Sequence, residues 1–533
     1  MYIDIVPNRS SPPAVLLRES VREGTKIRKQ TLANLSHWDR DRVELLRRLL
    51  RGELDRAAWG EPVSGPVFGL LFVLRKVAEE LGLVEALGRE RWGKLGLFLT
   101  LARVAHQGSR LSAVRWSQDQ AVEEILAVGR FNEDDLYGAL EELARRQTEI
   151  ESRLYRRYVK RRGQAPMLFL YDVTSSYLEG EPNELGAYGY NRDGKTGKKQ
   201  IVIGLLTDDA GEPMAVRVFA GNTADPTTLP EQIEILKQQF RVEHVVLVGD
   251  RGMVKFPAKQ QLSQHGMCYI TALTDPQIRK LLKREIIQLG LFEEKVCEVE
   301  VAGIRYLLRK NPAEARRLEH RVADKLAKLK QKVEARNQQV LDSPRCQPEA
   351  GLRQLQQWVT RHKLSDFVRL QLEDRRLQIQ VDPAAGQQAM ALAGCYVLET
   401  DVPTALLDGQ TAHDRYKDLA QVERDIRTLK TGLLEVRPIY LRKAERTQGH
   451  VLVCMLALKL SREIERRLAA VFGTTDHNPH ATTLPDALAA LSRLCLIHYP
   501  IDAKRNVTCL PKPDQHQTEI LKALRVRLSV GPM

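Results

Sequence analysis

The chain has 533 residues, of which 43% are hydrophobic and 28% charged, a composition typical of a globular protein of about two to four domains and not of a disordered chain. Its 82 Lys and Arg against 68 Asp and Glu leave a net charge of +14, which favours a polyanionic partner. The seven cysteines have no CxxC spacing, no signal peptide is recognisable and the apolar runs are too short to span a bilayer. The sequence therefore predicts a cytoplasmic protein without a zinc site, a disulfide framework or a membrane partner.

Residues 1–162 are predicted to form an N-terminal helical region. From about residue 40 onward, apolar residues recur at three- and four-residue steps, as at Leu70, Leu74 and Val77, which is the periodicity of amphipathic helices. The region ends in a basic run made of Arg156, Arg157, Lys160, Arg161 and Arg162. For this run alone, a solvated helix face and a DNA-contacting face are equally good interpretations.

Short apolar runs follow, and they are typical of buried strands. They lie at residues 167–174, 200–207, 213–220, 244–249 and 268–273, with helices predicted at 229–240 and in a segment ending near 265. The resulting order β-β-β-α-β-α-β is that of the ribonuclease-H-like fold, a mixed sheet flanked by helices. We therefore predict an α/β domain of this kind within a chain that is α+β overall.

An insertion subdomain is predicted at residues 276–395. It contains a candidate strand pair at 295–301 and 304–308 and a long basic helix at about 314–340. A further strand and the strongly helical stretch after it are again assigned to the α/β domain. A linker rich in Pro, His and Thr follows, and after it a helical C-terminal segment. The α/β domain is thus expected to comprise residues 163–275 and 396–470, and the C-terminal helical region residues 471–533.

Two aspartates stand at the ends of predicted strands. Asp172 is at the polar end of the first strand of the α/β domain, and Asp250 ends the fourth. If these strands are neighbours, as in the ribonuclease-H-like order, the two side chains converge, and their mutual repulsion favours a divalent cation with oxygen ligands. An Asp after a strand is more often a turn or cap residue when taken singly, so the prediction depends on the pair.

A third acid is expected from the segment YKDLAQVERDIRTLK. Tyr416, Glu423 and Lys430 are spaced by seven residues, which places them along one face of a helix, and Arg427 joins that face one turn after Glu423. Taken alone, the segment is best interpreted as a solvated, salt-bridged helix. In combination with the two aspartates it predicts a two-metal site for phosphoryl transfer, in which Glu423 completes the ligands and the other three side chains hold phosphates.

At these residues the sequence resembles the DDE transposases of bacterial insertion sequences, in particular an IS4-like group whose catalytic domain is split by an insertion before the last acid. The matching motifs are YDVTSSY, GNTADPTTL, VLVGDRGM and YKDLAQVERDIRTLK. The family signature has Tyr, Arg three residues later, Glu four later and Lys seven later. Tyr416, Glu423 and Lys430 match it, whereas Leu419 occupies the Arg position, which leaves the phosphate contact of that Arg to Lys417 or Arg427.

The resemblance implies catalysis by Asp172, Asp250 and Glu423, which would bind two Mg²⁺ ions, with Mn²⁺ as a substitute. It also implies cleavage at the ends of a transposon and transfer of the freed 3′-hydroxyl to target DNA. Double-stranded DNA would be the partner, the N-terminal region would recognise the terminal inverted repeats, and a homodimer would join two ends in a bacterial, nucleoid-associated complex.

Other candidate DNA contacts lie in loops: Arg251 after the second aspartate, Asn222 in GNTADPTTL, and Lys195, Lys198 and Lys199 in a basic connection. An ordinary turn and helix cap explain the GNTADPTTL loop equally well. The connection matches the phosphate-loop pattern GxxxxGK[ST] as GYNRDGKT, but a strand is predicted after it where a phosphate loop needs a helix, so an ATPase is not expected.

Two alternative functions remain open at this point. One is a metal-dependent nuclease of the same fold that performs no strand transfer. The other is a non-catalytic DNA-binding remnant, against which the presence of all three acids argues.

Overall fold

The computed structural model describes residues 1–8, 12–23, 26–51, 61–179, 183–190, 194, 197–251, 253–254, 256–343, 345–430, 439–474, 478–502 and 505–528. The chain divides into two compact units. The terminal unit comprises Met1–Glu80, Arg89–Leu136 and Leu460–Met533, and the central unit comprises Leu81–Gly88 and Tyr137–Lys459. Among the described residues, none of the helices has the length and apolar character needed to cross a membrane.

The strands are numbered in chain order. They are β1 Tyr2–Val6, β2 Ala14–Glu23, β3 Lys26–Asn34, β4 Val63–Val67, β5 Leu168–Tyr177, β6 Gln200–Asp208, β7 Pro213–Ala220, β8 Val246–Gly249, β9 Cys268–Ala272, β10 Cys297–Val301, β11 Ile304–Lys310, β12 Val368–Glu373, β13 Arg376–Val381, β14 Cys395–Thr400, β15 Cys495–Asp502 and β16 Arg505–Cys509.

The helices are numbered in the same way. They are α1 Arg40–Leu50, α2 Gly69–Leu81, α3 Leu83–Leu87, α4 Arg91–Ala105, α5 Arg110–Ser117, α6 Val122–Leu126, α7 Glu133–Arg145, α8 Gln147–Arg162, α9 Leu229–Glu234, α10 Phe256–Gln264, α11 Asp275–Lys283, α12 Pro312–Asp342, α13 Pro348–Arg361, α14 Pro383–Met390, α15 Gly409–Lys417, α16 Leu419–Lys430, α17 Ala444–Phe472, α18 Leu484–Leu491 and α19 Gln515–Ala523.

The terminal unit contains more β structure than the sequence predicted. Strands β1, β2 and β3 form an antiparallel sheet within the region 1–162 that was expected to be helical. Strand β4 pairs with β15, which in turn pairs with β16, and both of these lie in the C-terminal region that was also expected to be helical. Val15 and Leu17 alternate along β2 and pack with Ile3 and Val43. This period of two buries one face of the sheet on α1, which accounts for strands in place of helices.

The central unit is built on an eight-stranded sheet of order β10-β11-β14-β9-β8-β5-β6-β7. Strands β5 to β7 are antiparallel, and β5, β8 and β9 are parallel. The order β7-β6-β5-β8-β9 is the ribonuclease-H-like order, so the predicted fold is confirmed. Strands β10 and β11 come from the range 276–395 predicted as an insertion, and they extend this sheet through the pairing of β11 with β14.

The residues between β11 and β14 form a separate small core. It is formed by α12, α13 and the hairpin β12–β13, with Leu329, Leu355, Leu364 and Leu377 buried together. The long basic helix expected at about 314–340 is therefore present as α12, and its apolar stripe packs on α13 and the hairpin.

The two faces of β5 have different neighbours. Phe169, Tyr171 and Val173 belong to the core shared with Tyr155 of α8 and Leu236 beyond α9. Side chains alternate along a strand, so Asp172 and Thr174 project from the opposite face, where α16 packs on β5.

Candidate active site

Asp172 and Asp250 lie side by side at one end of a parallel ladder. The ladder between β5 and β8 ends at the pair Tyr171 and Gly249, and each aspartate is the next residue in the chain. Asp172 was expected at the end of its strand, but β5 continues to Tyr177 because residues 173–177 pair with β6. The backbones at the two aspartates thus belong to adjacent strands, which lie about 4.8 Å apart in a sheet, and both residues line the same cleft.

Local hydrogen bonds orient both carboxylates. Oδ1 of Asp172 accepts a hydrogen bond of 2.7 Å from the backbone N–H of Val173, and Oδ1 of Asp250 accepts one of 2.7 Å from the N–H of Arg251. Asp172 is half-buried and Asp250 is exposed. Asp250 can therefore be reached from solvent, while Asp172 lies deeper against the sheet.

Glu423 is exposed on α16, whose Val422, Ile426 and Leu429 are buried. Glu423, Asp172 and Asp250 line one cleft of about 610 Å³ in the central unit. Three acids that are far apart in the sequence thus share one cavity.

The chemistry of these donors fits a divalent metal ion. Carboxylate oxygens are hard ligands of the type that Mg²⁺ and Mn²⁺ prefer. In the part of the chain that the structure describes, no group of three or more His, Cys, Asp or Glu side chains is arranged so that it could hold a metal ion. The three acids therefore have the donor chemistry that a divalent metal ion needs and share one cleft, but their side chains are not gathered into a ready-made metal site.

The helix that was expected to carry Tyr416, Glu423 and Lys430 is divided at Asp418. Tyr416 and Lys417 end α15, and α16 begins at Leu419. Tyr416, Lys417 and Leu419 nevertheless line the cleft, together with Arg251. Arg251 hydrogen-bonds to the Tyr416 side chain, and burial raises the pKa of Tyr416 to about 12, so its hydroxyl stays protonated.

Leu419 is buried and lines the cleft at the position of the signature Arg. Lys417 and Arg251 are exposed and line the same cleft. They are thus the cations that line the same cleft as Leu419 among the described residues.

Several other predicted contact residues lie outside this cleft. Lys430 is buried, and its ammonium donates a hydrogen bond of 2.9 Å to Oγ1 of Thr174. Arg427 and Asn222 are exposed but are not among the described residues that line the cleft.

The basic connection between β5 and β6 is only partly described. Lys198 forms an ion pair of 2.7 Å with Glu179, and Lys199 is exposed. Lys195 lies outside the described residues. Strand β6 begins at Gln200 where a phosphate loop would need a helix, which agrees with the expectation that GYNRDGKT is not a nucleotide site.

The far wall of the cleft was not anticipated from the sequence. It includes Tyr396 of β14 and Glu314 near the start of α12. The Tyr396 hydroxyl bonds to Nε2 of His413, Nδ1 of His413 lies 2.9 Å from Asp414 Oδ1, and Arg309 also reaches the His413 ring. Burial lowers the pKa of His413. The local sequence around Tyr396 predicts only a strand, so no motif marks this wall.

Residues 163–460, more than half of the 533, match the family described as Transposase DDE domain, and residues 3–60 match the N-terminal domain of the IS1634 family transposases. No curated protein matched. A solved structure of the piggyBac transposase synaptic complex with hairpin DNA shares 10% identity over 75% of this chain and 69% of that chain, with a TM-score of 0.34, too low for an inference about fold or function.

Proposed function

The chain belongs to the DDE transposase family, whose members are metal-dependent phosphoryl-transfer enzymes acting on DNA, and from that premise we propose that it performs cut-and-paste transposition. It would bind the terminal inverted repeats of its element, cleave the DNA at the element's ends and transfer the freed 3′-hydroxyl to target DNA. The observation that carries this proposal is that Asp172, Asp250 and Glu423 line one cleft within the matched region.

The proposed metal ligands are Asp172, Asp250 and Glu423, with Mg²⁺ as the physiological ion and Mn²⁺ as a substitute. Two such ions, when bound, would activate the attacking oxygen and stabilise the leaving oxygen of the phosphodiester. Glu423 is exposed on its helix, so its side chain is free to turn towards the two aspartates. Asp172 lies on β5 and Asp250 directly follows the neighbouring strand β8.

The cations at the cleft have a separate role in the proposal. Lys417 and Arg251 would bind the phosphates on either side of the scissile bond, in place of the Arg that Leu419 replaces. Arg251 is suited to this because its planar guanidinium can donate two parallel hydrogen bonds to one phosphate. The protonated hydroxyl of Tyr416, which is bonded to Arg251, would help to orient that guanidinium.

The test is incubation of the full chain with duplexes carrying its own element's ends, in Mg²⁺ or Mn²⁺, followed by mapping of cleaved and joined products. We expect cleavage at the element's ends and joined products in wild type. Asp172→Asn, Asp250→Asn and Glu423→Gln should each abolish cleavage, because each removes a charged ligand, while DNA affinity changes little. Asp275→Asn is the matched control, since Asp275 also lines the cleft but is not a proposed ligand, and it should cleave normally.

The outcomes separate the alternatives. Cleavage without joined products would indicate a nuclease of the same fold. Binding without cleavage in wild type would indicate a non-catalytic remnant. Equal cleavage by wild type and Asp172→Asn would refute the assignment of the acids.

A further inference from the structure

Helix α8 is held firmly against the central sheet by one of its faces. Tyr155 is buried in the sheet's core, and its ring stacks on Phe240 with the ring centroids 4.2 Å apart. Glu151, which is fully buried, forms an ion pair of 2.9 Å with Arg217 of β7. These contacts fix the rotation of α8 about its axis, and with it the direction of the opposite face.

That opposite face carries a basic stripe, which we define as Arg153, Arg156, Arg157 and Lys160. The four residues stand at positions i, i+3, i+4 and i+7, so they lie on one side of the helix. Together with α3 they line a groove of about 420 Å³. Glu85 is the acidic residue in the groove's lining, so the side chains that line the groove carry four positive charges and one negative charge.

The groove is shaped by specific contacts with α3. Arg153 donates a hydrogen bond of 3.3 Å to the carbonyl of Ala86 and pairs with Glu149. The stem of Arg157 lies across Gly82, where an added Cβ would come within 2.8 Å of the Arg157 Cγ. Gly82 has a φ of +84°, a conformation that glycine adopts at low cost. Arg156, Arg157 and Lys160 therefore extend from a defined surface.

The basic stripe and the acidic cleft lie on opposite faces of the sheet. Tyr171 and Val173 of β5 face the core that α8 covers, whereas Asp172 projects from the other face, towards α16. A DNA segment in contact with the stripe is thus separated from the carboxylates by the thickness of the sheet. The stripe cannot be part of the catalytic cleft.

We propose that the basic stripe of α8 is a second binding site for double-stranded DNA, one that holds the phosphate backbone away from the site of cleavage. This inference rests on the proposed function, which supplies the DNA. From i to i+7 the stripe spans about 10 Å of helix, which corresponds to roughly three phosphates of one strand at 3.4 Å each along the duplex axis. The planar guanidinium of arginine matches the geometry of a phosphate group. The repulsion between the clustered positive charges decreases when a polyanion binds.

The experiment measures DNA affinity and its salt dependence in full-length wild type and variants. The variant Arg156→Gln/Arg157→Gln/Lys160→Gln removes three charges and leaves Arg153, which is bonded to Ala86 and Glu149. Each phosphate contact contributes about 0.9 to the slope of log K against log salt. We therefore expect a slope that is shallower by about 2 to 3 and at least about tenfold weaker binding to duplex DNA at low salt.

The matched control removes the same number of charges elsewhere. Lys522, Arg525 and Arg527 are exposed near the C-terminus, and their triple Gln variant should keep the wild-type slope. The conservative variant Arg156→Lys/Arg157→Lys should also keep most of the slope, because it preserves the charge. Equal thermal midpoints for the variants and wild type would establish that folding is unaffected.

Two results would overturn the proposal: a wild-type slope in the α8 variant, or an equal loss of slope in the α8 and C-terminal variants, which would indicate a general effect of net charge. Because binding is measured without metal or cleavage, its outcome is independent of the test of the proposed function. If wild type cleaves normally and the α8 variant keeps the wild-type slope, only the proposal of a second DNA site is contradicted. If wild type fails to cleave and the slope of the α8 variant is shallower, only the catalytic proposal is contradicted.

Discussion

Lys430 is the signature lysine, and its surroundings differ from those of a DNA-contacting side chain. It is buried, and its ammonium donates to Oγ1 of Thr174, two residues from Asp172 on β5. A buried ammonium must be hydrogen-bonded to avoid a large desolvation cost. The bond links the helix that carries Glu423 to the strand that carries Asp172, so it can set the position of one acid relative to the other.

We expect Lys430→Met and Thr174→Val to slow cleavage by about tenfold to a hundredfold, since small displacements of reacting groups cost that much. DNA affinity and its salt slope should stay at the wild-type values, and Lys430→Arg should recover part of the rate. The measurement is single-turnover cleavage beside equilibrium binding.

Arg427 provides the contrast for Lys430, because it is exposed on the same helix. Arg427→Gln should make the salt slope shallower by about 1 if the side chain binds a phosphate. A shallower slope in Lys430→Met would instead indicate that Lys430 contacts DNA.

At the scale of elements, α7 and α17 approach closely at Gly449. A Cβ added there would lie 2.1 Å from the carbonyl oxygen of Leu140 in α7, a backbone atom that cannot move aside without shifting the helix. The glycine is therefore required by packing, although glycine inside a helix is intrinsically unfavourable.

Gly449→Ala should lower the free energy of unfolding by about 1 to 3 kcal/mol, the usual cost of overpacking. Gly138 in α7 is the matched control, because nothing lies within 4 Å of a Cβ added there. Gly138→Ala should raise stability by up to about 1 kcal/mol through helix propensity. Urea unfolding of both variants measures the difference, and a loss of stability in both would contradict the packing explanation.

The same pair of helices is joined by charge. Glu141 of α7 forms ion pairs with Arg446 of α17 at 2.8 Å and with Lys443 at 3.2 Å. The hydrogen bond from Arg446, and after it the one from Lys443, hold the pKa of the Glu141 carboxyl below its ordinary 4.5. A carboxyl with a lowered pKa stabilises the fold above its unfolded-state pKa, and this stabilisation is lost as the pH falls through the folded-state pKa.

We expect the thermal midpoint of wild type to fall as the pH decreases below about 4.5. In Glu141→Gln the decrease of the midpoint over the same pH range should be smaller. Glu142→Gln is the control, because Glu142 pairs with Arg145 of its own helix and with Arg146 directly after it, so the substitution leaves the link between α7 and α17 intact. Its pH dependence should follow wild type. Identical curves for all three proteins would show that the link does not contribute.

At the scale of the whole molecule, the net charge of +14 agrees with a DNA-binding enzyme, and the reaction sets the number of chains. Joining two transposon ends to one target needs two active sites held together, so we propose a homodimer on DNA. Light scattering of the complex with end duplexes should give a mass of two chains and two duplexes. A complex of one chain and one duplex that still joins both ends would contradict this.

Much of the catalytic domain could be predicted from the sequence because its signals are local. The strand β7 was predicted with its observed bounds, and Asp250 was placed directly after β8, as found. An apolar run marks a buried strand wherever its partners come from. The sequence by itself thus determined the ribonuclease-H-like order and the elements on which the three acids stand.

Only the tertiary structure decided which of several similar side chains reaches the cleft. Lys417 and Lys430 are lysines of one motif, yet the first lines the cavity and the second is bonded to Thr174. The continuation of β5 past Asp172 likewise depends on its partner β6, and Tyr396 reaches the cleft through the pairing of β14. These outcomes depend on contacts between residues far apart in the chain, and local periodicity carries no information about such contacts.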